Sequence, residues 1–190
     1  MIRQLLTAPN QLTLLRLLFI PFIVIFILDH EWGWALGLFV VAGITDTLDG
    51  LLARLLKQKT VLGQYLDPIA DKLLLSTLFL VLSLVGKIPW KFTVLVFSRD
   101  VGIVVTSAIV YATTPLRDFR PSVFGKANTV AEIVTLFFVL LRELHAAMWI
   151  AYTRDACLWI TMALTVISGV HYIILLNRRL HEPGGQAGGE

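Results

Sequence analysis

Two acidic segments organise this chain. The first reads Asp46-Thr-Leu-Asp49-Gly50-Leu-Leu-Ala53-Arg54, and the second, eight residues later, reads Gly63-Gln-Tyr-Leu-Asp67-Pro-Ile-Ala-Asp71. Together they place four carboxylates and an arginine inside strongly apolar sequence. Ionisable groups at membrane depth are energetically costly, so they usually face a polar cavity and carry a function. These segments therefore predict both a membrane protein and its functional site.

Helical spacing brings the four acids onto two facing surfaces. At about 100° per residue, Asp46 and Asp49 fall on one side of a first helix, within an arc of roughly 100° that also holds Gly50 and Ala53. Asp67 and Asp71, four residues apart, share one face of the next helix. The connection between the helices is short, so the two acidic faces can meet.

Four carboxylates at such close range would repel one another unless protons or cations neutralised them. Their oxygens suit hard divalent ions such as Mg²⁺ or Mn²⁺, so the segments predict a two-metal site. Gly50 and Ala53 have little or no side chain, so they leave room for a bulky ligand on the helix surface beside the acids. Gly63 allows close approach to the backbone at the start of the second segment. Arg54, near a helix end, is placed to hold a phosphate. The alternative, a turn at Asp49-Gly50 with the other acids capping helices, would interrupt an apolar span.

The pattern D-x2-D-G-x2-A-R-x8-G-x3-D-x3-D resembles the signature of the CDP-alcohol phosphotransferases at every fixed position. Pro9-Asn10-Gln-Leu-Thr13-Leu-Leu-Arg16 is also similar to the family, in its phosphatidylglycerophosphate synthase and single-chain cardiolipin synthase branch. The resemblance implies a homodimer that transfers a phosphatidyl group from CDP-diacylglycerol to a glycerol-type alcohol and releases CMP. It also implies roles for individual residues: metal ligands Asp46, Asp49, Asp67 and Asp71, with Asp71 as general base, and a CDP and diphosphate site at Gly50, Ala53, Arg54, Gly63, Asn10 and Thr13.

Three cations are candidates for binding the acceptor alcohol. Arg16 lies one turn into the first span, where it could contact a substrate phosphate or extend to the headgroups. Arg99, next to Asp100 in mid-span, could line an acceptor pocket or tie helices together. Lys126 begins the fifth span, where a helix N-terminus favours an anion, either the acceptor phosphate or a lipid headgroup. Ser98-Arg99-Asp100 and Gly125-Lys126-Ala127-Asn128-Thr129 are more similar to the cardiolipin synthases of the family, whose glycerol 3-phosphate enzymes usually have Arg-Glu where this chain has Arg99-Asp100. The resemblance therefore favours phosphatidylglycerol as the acceptor without excluding glycerol 3-phosphate.

Composition and hydropathy predict an all-α polytopic membrane protein. Of the 190 residues, 57% are hydrophobic and 15% charged, which is too apolar for an ordinary soluble domain. At roughly 20 residues per crossing, six transmembrane helices are expected, near 11–29, 34–56, 66–86, 90–113, 125–148 and 153–176. A short amphipathic segment, Met1–Ala8, precedes them. Residues 1–182 form the membrane domain, and the Gly-rich tail 183–190 is expected to be disordered.

Loop cations predict the orientation. An even number of spans puts both termini on one side, with nine cations there: Arg3, Arg54, Lys57, Lys59, Arg117, Arg120, Lys126, Arg178 and Arg179. The other side holds four: Lys87, Lys91, Arg142 and Arg154. The positive-inside rule therefore places both termini and the acidic site in the cytoplasm, and we expect a bacterial inner-membrane protein.

Other classes of protein fit the sequence less well. A membrane cation or metal transporter would explain buried carboxylates, but not the small residues and arginine at fixed spacing. The intact signature argues against a catalytically silent membrane partner. A net charge of +3, without basic tracts interleaved with aromatics, gives no sign of nucleic-acid binding. The single cysteine, Cys157, and the four histidines show no metal-ligand spacing.

Overall fold

Six helices joined by short connections make up the described part of the chain. The computed structural model describes the backbone of residues 8–55, 61–113 and 123–181, and the side chains of residues 11–46, 69–105, 124–172 and 174. The helices are α1 (Ala8–Leu28), α2 (Trp32–Leu55), α3 (Val61–Leu84), α4 (Trp90–Thr113), α5 (Val123–Leu144) and α6 (Met148–His181). This confirms the predicted all-α fold, and no strand occurs within the described ranges.

Length and apolar composition allow three of the described helices to cross a membrane. The crossing segments are Gln11–Leu28 in α1, Phe124–Leu144 in α5 and Met148–Tyr172 in α6, and Trp32–Asp46 in α2 is a shorter apolar stretch. Helices α3 and α4, with 24 residues each, extend about 36 Å at 1.5 Å per residue, which exceeds a hydrocarbon core of roughly 30 Å. The chain is an integral membrane protein.

Helix α3 occupies the centre of the bundle, where it packs against α1, α4 and α5. Helix α2 packs on α1 and α5, and α6 packs on α4 and α5. Three buried alanines, Ala35 and Ala42 on α2 and Ala70 on α3, allow the close backbone approach that drives helix association in lipid. Larger apolar side chains fill the remaining core, among them Ile23, Ile27, Phe39, Phe79, Leu82, Leu136 and Leu140.

Helices α1 and α3 end with the same C-terminal motif, at the same end of the bundle. Gly86, with φ 74°, follows α3, and the amides of Gly86 and Lys87 donate to the carbonyls of Ser83 and Leu82. His30, with φ 60°, follows α1 and has the equivalent pair of bonds. Both are Schellman motifs, which satisfy carbonyls left over at a helix end. They fix this end of the bundle, with Lys87 lying over the Trp32 ring.

The predicted spans agree with the helices apart from their ends. Helix α3 begins at Val61, so it includes Gly63, and α6 extends to His181. Helix α2 ends at Leu55, so Arg54 lies in its last turn, as predicted. Residues 1–7 of the amphipathic segment and the predicted disordered tail, 183–190, lie outside the described residues.

Candidate active site

Two of the four signature aspartates meet at one buried arginine. Arg16, on α1, is only 1% exposed, and its Nη2 lies 2.7 Å from Oδ1 of Asp46 on α2. Its Nη1 donates to Oδ1 of Asp71 on α3 at 2.5 Å. Both carboxylates are accessible, with 44% and 39% of their side chains exposed. One guanidinium thus brings together acidic faces from two helices, and its charge offsets part of their repulsion.

The local sequence explains how three helices converge here. Ala42 and Gly43 lie about one turn before Asp46: Ala42 is fully buried and allows close helix approach, whereas Gly43 lines the cavity beside the cluster. The Thr45 hydroxyl donates to the Ala42 carbonyl at 2.8 Å and so is satisfied inside its own helix. On α1, the fully buried Thr13 lies one turn before Arg16 and therefore on the same face.

A cavity of about 50 Å³ lies beside this cluster, lined by Arg16, Gly43, Asp46, Asp71 and Thr129 among others. It is large enough for a few small polar species such as ions or waters. Hard carboxylate oxygens that face such a cavity suit divalent cations, so the residues present fit the predicted metal site. The described side chains include only two of the four signature aspartates, Asp46 and Asp71. Among these described side chains, no three His, Cys, Asp or Glu residues lie close enough together to hold a metal ion.

The other signature side chains lie outside the described set. Their backbones are helical: Asp49, Gly50, Ala53 and Arg54 on α2, Gly63 and Asp67 on α3, and Asn10 on α1. Asp49 follows Asp46 by nearly one helical turn, and Asp67 precedes Asp71 by about one. Their ligand and nucleotide-binding roles stay predictions.

A groove of about 640 Å³ runs between α2 and α5 and ends at Asp46. Apart from Asp46 and Gly43, its lining is apolar: Phe39, Val40, Ile44, Ile133, Val134, Phe137 and Phe138. Gly43, Asp46 and Ile133 also line the small cavity at the aspartates. The groove therefore joins an apolar, lipid-facing surface to the acidic cluster.

Arg99 forms a tie between helices and also lines a cavity. Its Nε and Nη2 donate to the Ser168 hydroxyl of α6 at 3.3 and 2.9 Å, and its Nη1 donates to Asp100 at 2.8 Å. The same residue borders a cavity of about 310 Å³ between α4 and α6, at which Gly102 and Gly169 also lie. The structure thus contains both features considered for Arg99, and its predicted contact with the acceptor stays a prediction.

Asp100 links α4 to the signature helix. Its Oδ1 accepts a hydrogen bond from Lys72 of α3 at 2.6 Å as well as the one from Arg99. Lys72 follows Asp71 directly, so this contact lies next to the aspartate cluster. Lys126, the third predicted acceptor-binding residue, is exposed on the first turn of α5.

Asn128 and Glu132, four residues apart on α5, form a buried polar link that hydropathy alone does not predict. Asn128 donates to Glu132 Oε1 at 2.5 Å and accepts a bond from the Thr165 hydroxyl of α6 at 2.9 Å. Both residues are fully buried. Their i, i+4 spacing could have indicated the hydrogen bond, but nothing in the sequence indicated Thr165.

Residues 6–167 match the family model described as CDP-alcohol phosphatidyltransferase. A Mycobacterium tuberculosis protein provisionally named as a cardiolipin synthase is 32% identical over 200 residues, covering 98% of this chain and 95% of its own. A second protein of that organism, named as a probable phosphatidylglycerophosphate synthase, is 36% identical over 191 residues, covering 93% and 83%. A Bacillus subtilis protein named CDP-diacylglycerol–glycerol-3-phosphate 3-phosphatidyltransferase is 30% identical over 179 residues, covering 86% and 92%.

These comparisons agree with the signature and give no support to the alternative of a cation transporter. The family generally uses divalent metal ions, which the carboxylate cluster fits. The chain belongs to the CDP-alcohol phosphatidyltransferase family and is an integral membrane transferase of phospholipid synthesis.

Proposed function

We propose that this enzyme transfers a phosphatidyl group from CDP-diacylglycerol to a glycerol-type acceptor, glycerol 3-phosphate or phosphatidylglycerol, and releases CMP. The observation that carries the proposal is the meeting of Asp46 and Asp71 at Arg16, at the inner end of an apolar groove. A site that combines carboxylates with a lipid-facing groove suits a substrate with a diphosphate and acyl chains.

The groove between α2 and α5 accommodates an acyl chain of the donor. Its aromatic and aliphatic walls, such as Phe39 and Phe137, offer nothing to a polar substrate, and it is continuous with the acidic cavity through Gly43 and Asp46. A lipid whose chain lies there carries its diphosphate to the aspartates. The missing side chain at Gly43 keeps this junction open, since an added Cβ would meet nothing within 4 Å.

The reaction is a direct displacement. The acceptor hydroxyl oxygen bonds to the lipid-side phosphorus, the bond from that phosphorus to the bridging oxygen of CMP breaks, and the hydroxyl proton passes to the Asp71 carboxylate. Asp46, Asp49, Asp67 and Asp71 are the residues that would hold two Mg²⁺ or Mn²⁺ ions. When bound, such ions neutralise the phosphate oxygens and the departing CMP.

The remaining signature residues hold the CDP half of the donor. Gly50, Ala53 and Gly63 leave room beside the acids, and Arg54 binds a phosphate through its planar fork. Asn10 and Thr13 support the same site from α1, and the buried position of Thr13 beside Arg16 favours this assignment.

The acceptor binds next to these groups, with Arg16, Arg99 and Lys126 as its candidate cations. The ion pairs of Arg16 with Asp46 and Asp71 put it in contact with the reacting centre, where it also holds the two carboxylates in place. Arg99 offers a buried guanidinium in the wall of a separate cavity. The similar proteins carry both synthase names, so phosphatidylglycerol, which the resemblance favours, and glycerol 3-phosphate both stay candidates.

The enzyme works as a homodimer in the bacterial inner membrane, with both termini and the active site on the cytoplasmic side. The excess of nine loop cations over four supports this orientation. It also puts the aspartates where a nucleotide-activated lipid is available.

The test is CMP release by purified protein in mixed micelles with CDP-diacylglycerol and Mg²⁺ or Mn²⁺, with each acceptor in parallel. We expect metal-dependent release that requires one acceptor and is lost in Asp71→Asn. Release of no CMP with any alcohol, by protein that remains folded, would overturn the proposal.

A matched glycine pair tests the groove. Gly43→Leu puts a side chain into the junction between groove and cavity, and we expect a raised KM for CDP-diacylglycerol. Gly37→Leu is the control, because Gly37 lies on the same helix, lines neither cavity and also has open space around it. Equal KM values for the two variants would contradict the acyl-chain assignment.

A further inference from the structure

The end of the bundle opposite the aspartates holds a second polar pocket. We call this the distal end, where the connections 29–31, 85–89 and 145–147 lie together. An ion pair of 2.5 Å joins Lys87, in the connection 85–89, to Glu143 in the last turn of α5. Asp46 lies 14 residues along α2 from Trp32, or about 21 Å at the helical rise, so the two sites are well separated.

The distal pocket has a volume of about 320 Å³. Residues of the α3–α4 connection, the first turn of α4 and the N-terminal third of α6 line it, chiefly Lys87, Lys91, Phe92, Arg154 and Trp159. Phe92, which is buried, forms its floor and packs edge-to-face on Trp159 at 5.6 Å. The site is thus a built concavity between helices.

Charge is unevenly distributed at this end. The connections and flanking turns contain four cations, Lys87, Lys91, Arg142 and Arg154, and four acids, Asp29, Glu31, Glu143 and Asp155. Three of those cations line the pocket, but only one of the acids, Asp155, does. The distal end is therefore neutral as a whole, but most of its positive charges lie around one cavity. This arrangement favours an anion in the cavity.

The cations retain donors for a ligand. Lys87 has a single ion pair among the described residues, and an ammonium group has three donors. Arg154 uses Nε and Nη2 on Asp155, so the described hydrogen bonds leave its Nη1 available. Lys91 has no ion pair within the described residues and lies over the Trp159 and Phe92 rings at 4.9 and 5.2 Å. These donors surround one space and suit phosphate oxygens.

The position of the pocket favours a lipid phosphate over a free one. Trp90, beside Lys91, is half-exposed and Trp159 is 57% exposed, and exposed tryptophans mark the headgroup level of a membrane. Ile160, 54% exposed, continues the apolar surface beside Trp159. A phospholipid can therefore put its phosphate among the cations while an acyl chain runs along this surface. Basic pockets between membrane helices bind anionic headgroups in this way.

We propose that the distal pocket binds the phosphate headgroup of an anionic phospholipid, at a site separate from that of the substrates. Lys91 is its principal ligand, with Lys87 and Arg154 contributing donors. The bound lipid holds α4 and α6 together at the membrane surface.

Native mass spectrometry of the whole protein in a neutral detergent tests the proposal, with phosphatidic acid as the probe and phosphatidylcholine as the zwitterionic comparison. Lys91→Gln removes one charge from the pocket, and we expect about a fivefold loss of phosphatidic acid affinity, typical of one basic residue at a membrane surface. Arg142→Gln is the matched control, because Arg142 is the distal cation that does not line the pocket. It should leave the affinity unchanged.

Equal losses in the two variants, or equal binding of phosphatidylcholine, would overturn the proposal. Displacement of the lipid by millimolar inorganic phosphate would show that the site takes free phosphate, and would overturn the lipid assignment. Lys91→Gln should keep wild-type CMP release, since the pocket is remote from Asp46 and Asp71. Failure of lipid binding is therefore distinguishable from failure of the proposed transferase activity.

Discussion

Replacing Arg16 with glutamine tests whether this residue holds the acidic helices together. In the structure its guanidinium joins Asp46 of α2 to Asp71 of α3 from the third helix, α1. Glutamine is uncharged, so the two carboxylates would lose their shared cation while the helices keep their apolar contacts. We expect a protein that folds but is less stable when divalent ions are absent.

The expected loss of stability in Arg16→Gln depends on how exposed the three charged side chains are. Removing one partner of a fully buried ion pair typically costs about 3–5 kcal/mol. Arg16 is 1% exposed, but the carboxylates are 44% and 39% exposed, and solvent screens part of the loss. We therefore expect a loss of about 2–3 kcal/mol, below the fully buried range. For a chain of this size that corresponds to a fall in Tm of about 4–12 °C.

Divalent ions should reverse the loss more effectively in the variant than in the wild type. In the wild type an ion competes with Arg16 for the same carboxylate oxygens, whereas in Arg16→Gln this competitor is absent. An ion at about 100 times its Kd stabilises by roughly 2.7 kcal/mol, enough to offset the change. A thiol-reactive dye can follow unfolding, because Cys157 is the one cysteine of the chain. The Tm values measured in EDTA and in Mg²⁺ then give the stabilisation by the ion, once for the wild type and once for Arg16→Gln.

Arg142→Gln is the control for charge removal, because Arg142 contacts only the His145 carbonyl among the described hydrogen bonds. Equal Tm values for Arg16→Gln and Arg142→Gln in EDTA would refute the bridging role. Equal stabilisation of wild type and Arg16→Gln by Mg²⁺ would refute the competition between arginine and metal.

Substitutions at three polar contacts within the bundle, with an exposed ion pair for comparison, are each followed by thermal unfolding. Asp100→Asn leaves Lys72 and Arg99 without their shared anion and should cost about 2–3 kcal/mol, whereas Asp155→Asn in the exposed pair with Arg154 should cost less than about 1 kcal/mol. Asn128→Leu removes the described partners of Glu132 Oε1 and Thr165 and should cost about 1–3 kcal/mol, and an unchanged Tm would contradict this. Thr135→Val alone should cost about 1 kcal/mol because it orphans the Thr161 hydroxyl, and Thr135→Val with Thr161→Val should recover most of that loss.

The helices were predictable from sequence because a bilayer requires long apolar segments with internally satisfied backbones. The acidic segments likewise predicted that two helix faces would meet, since i, i+3 and i, i+4 spacing fixes which side chains share a face. Asp46 and Asp71 do lie on either side of one guanidinium.

The order in which helices pack could not be read from hydropathy. Every span is apolar enough to face any other, and lipid supplies no hydrophobic drive that selects a neighbour. Arg16 therefore had two open interpretations, and only the packing of α1 against α2 and α3 showed that it lies between carboxylates. The contacts of Ser168 with Arg99 and of Thr165 with Asn128 were unpredictable for the same reason, because both depend on where α6 lies.

Charge balance separates the polar core from the site of chemistry. Glu132 interacts electrostatically with Lys72, Arg99 and Asp100, and the four residues contribute two positive and two negative charges, so this group is neutral in its ionised form without a ligand. The signature is not balanced in this way. Its four aspartates outnumber Arg16 and Arg54 by two charges. Two divalent ions turn this excess of two negative charges into an excess of two positive charges. The two negative charges of a donor diphosphate then make the cluster neutral. In the proposed complex the acidic cluster therefore requires metal and substrate together, since either one alone leaves a net charge at membrane depth.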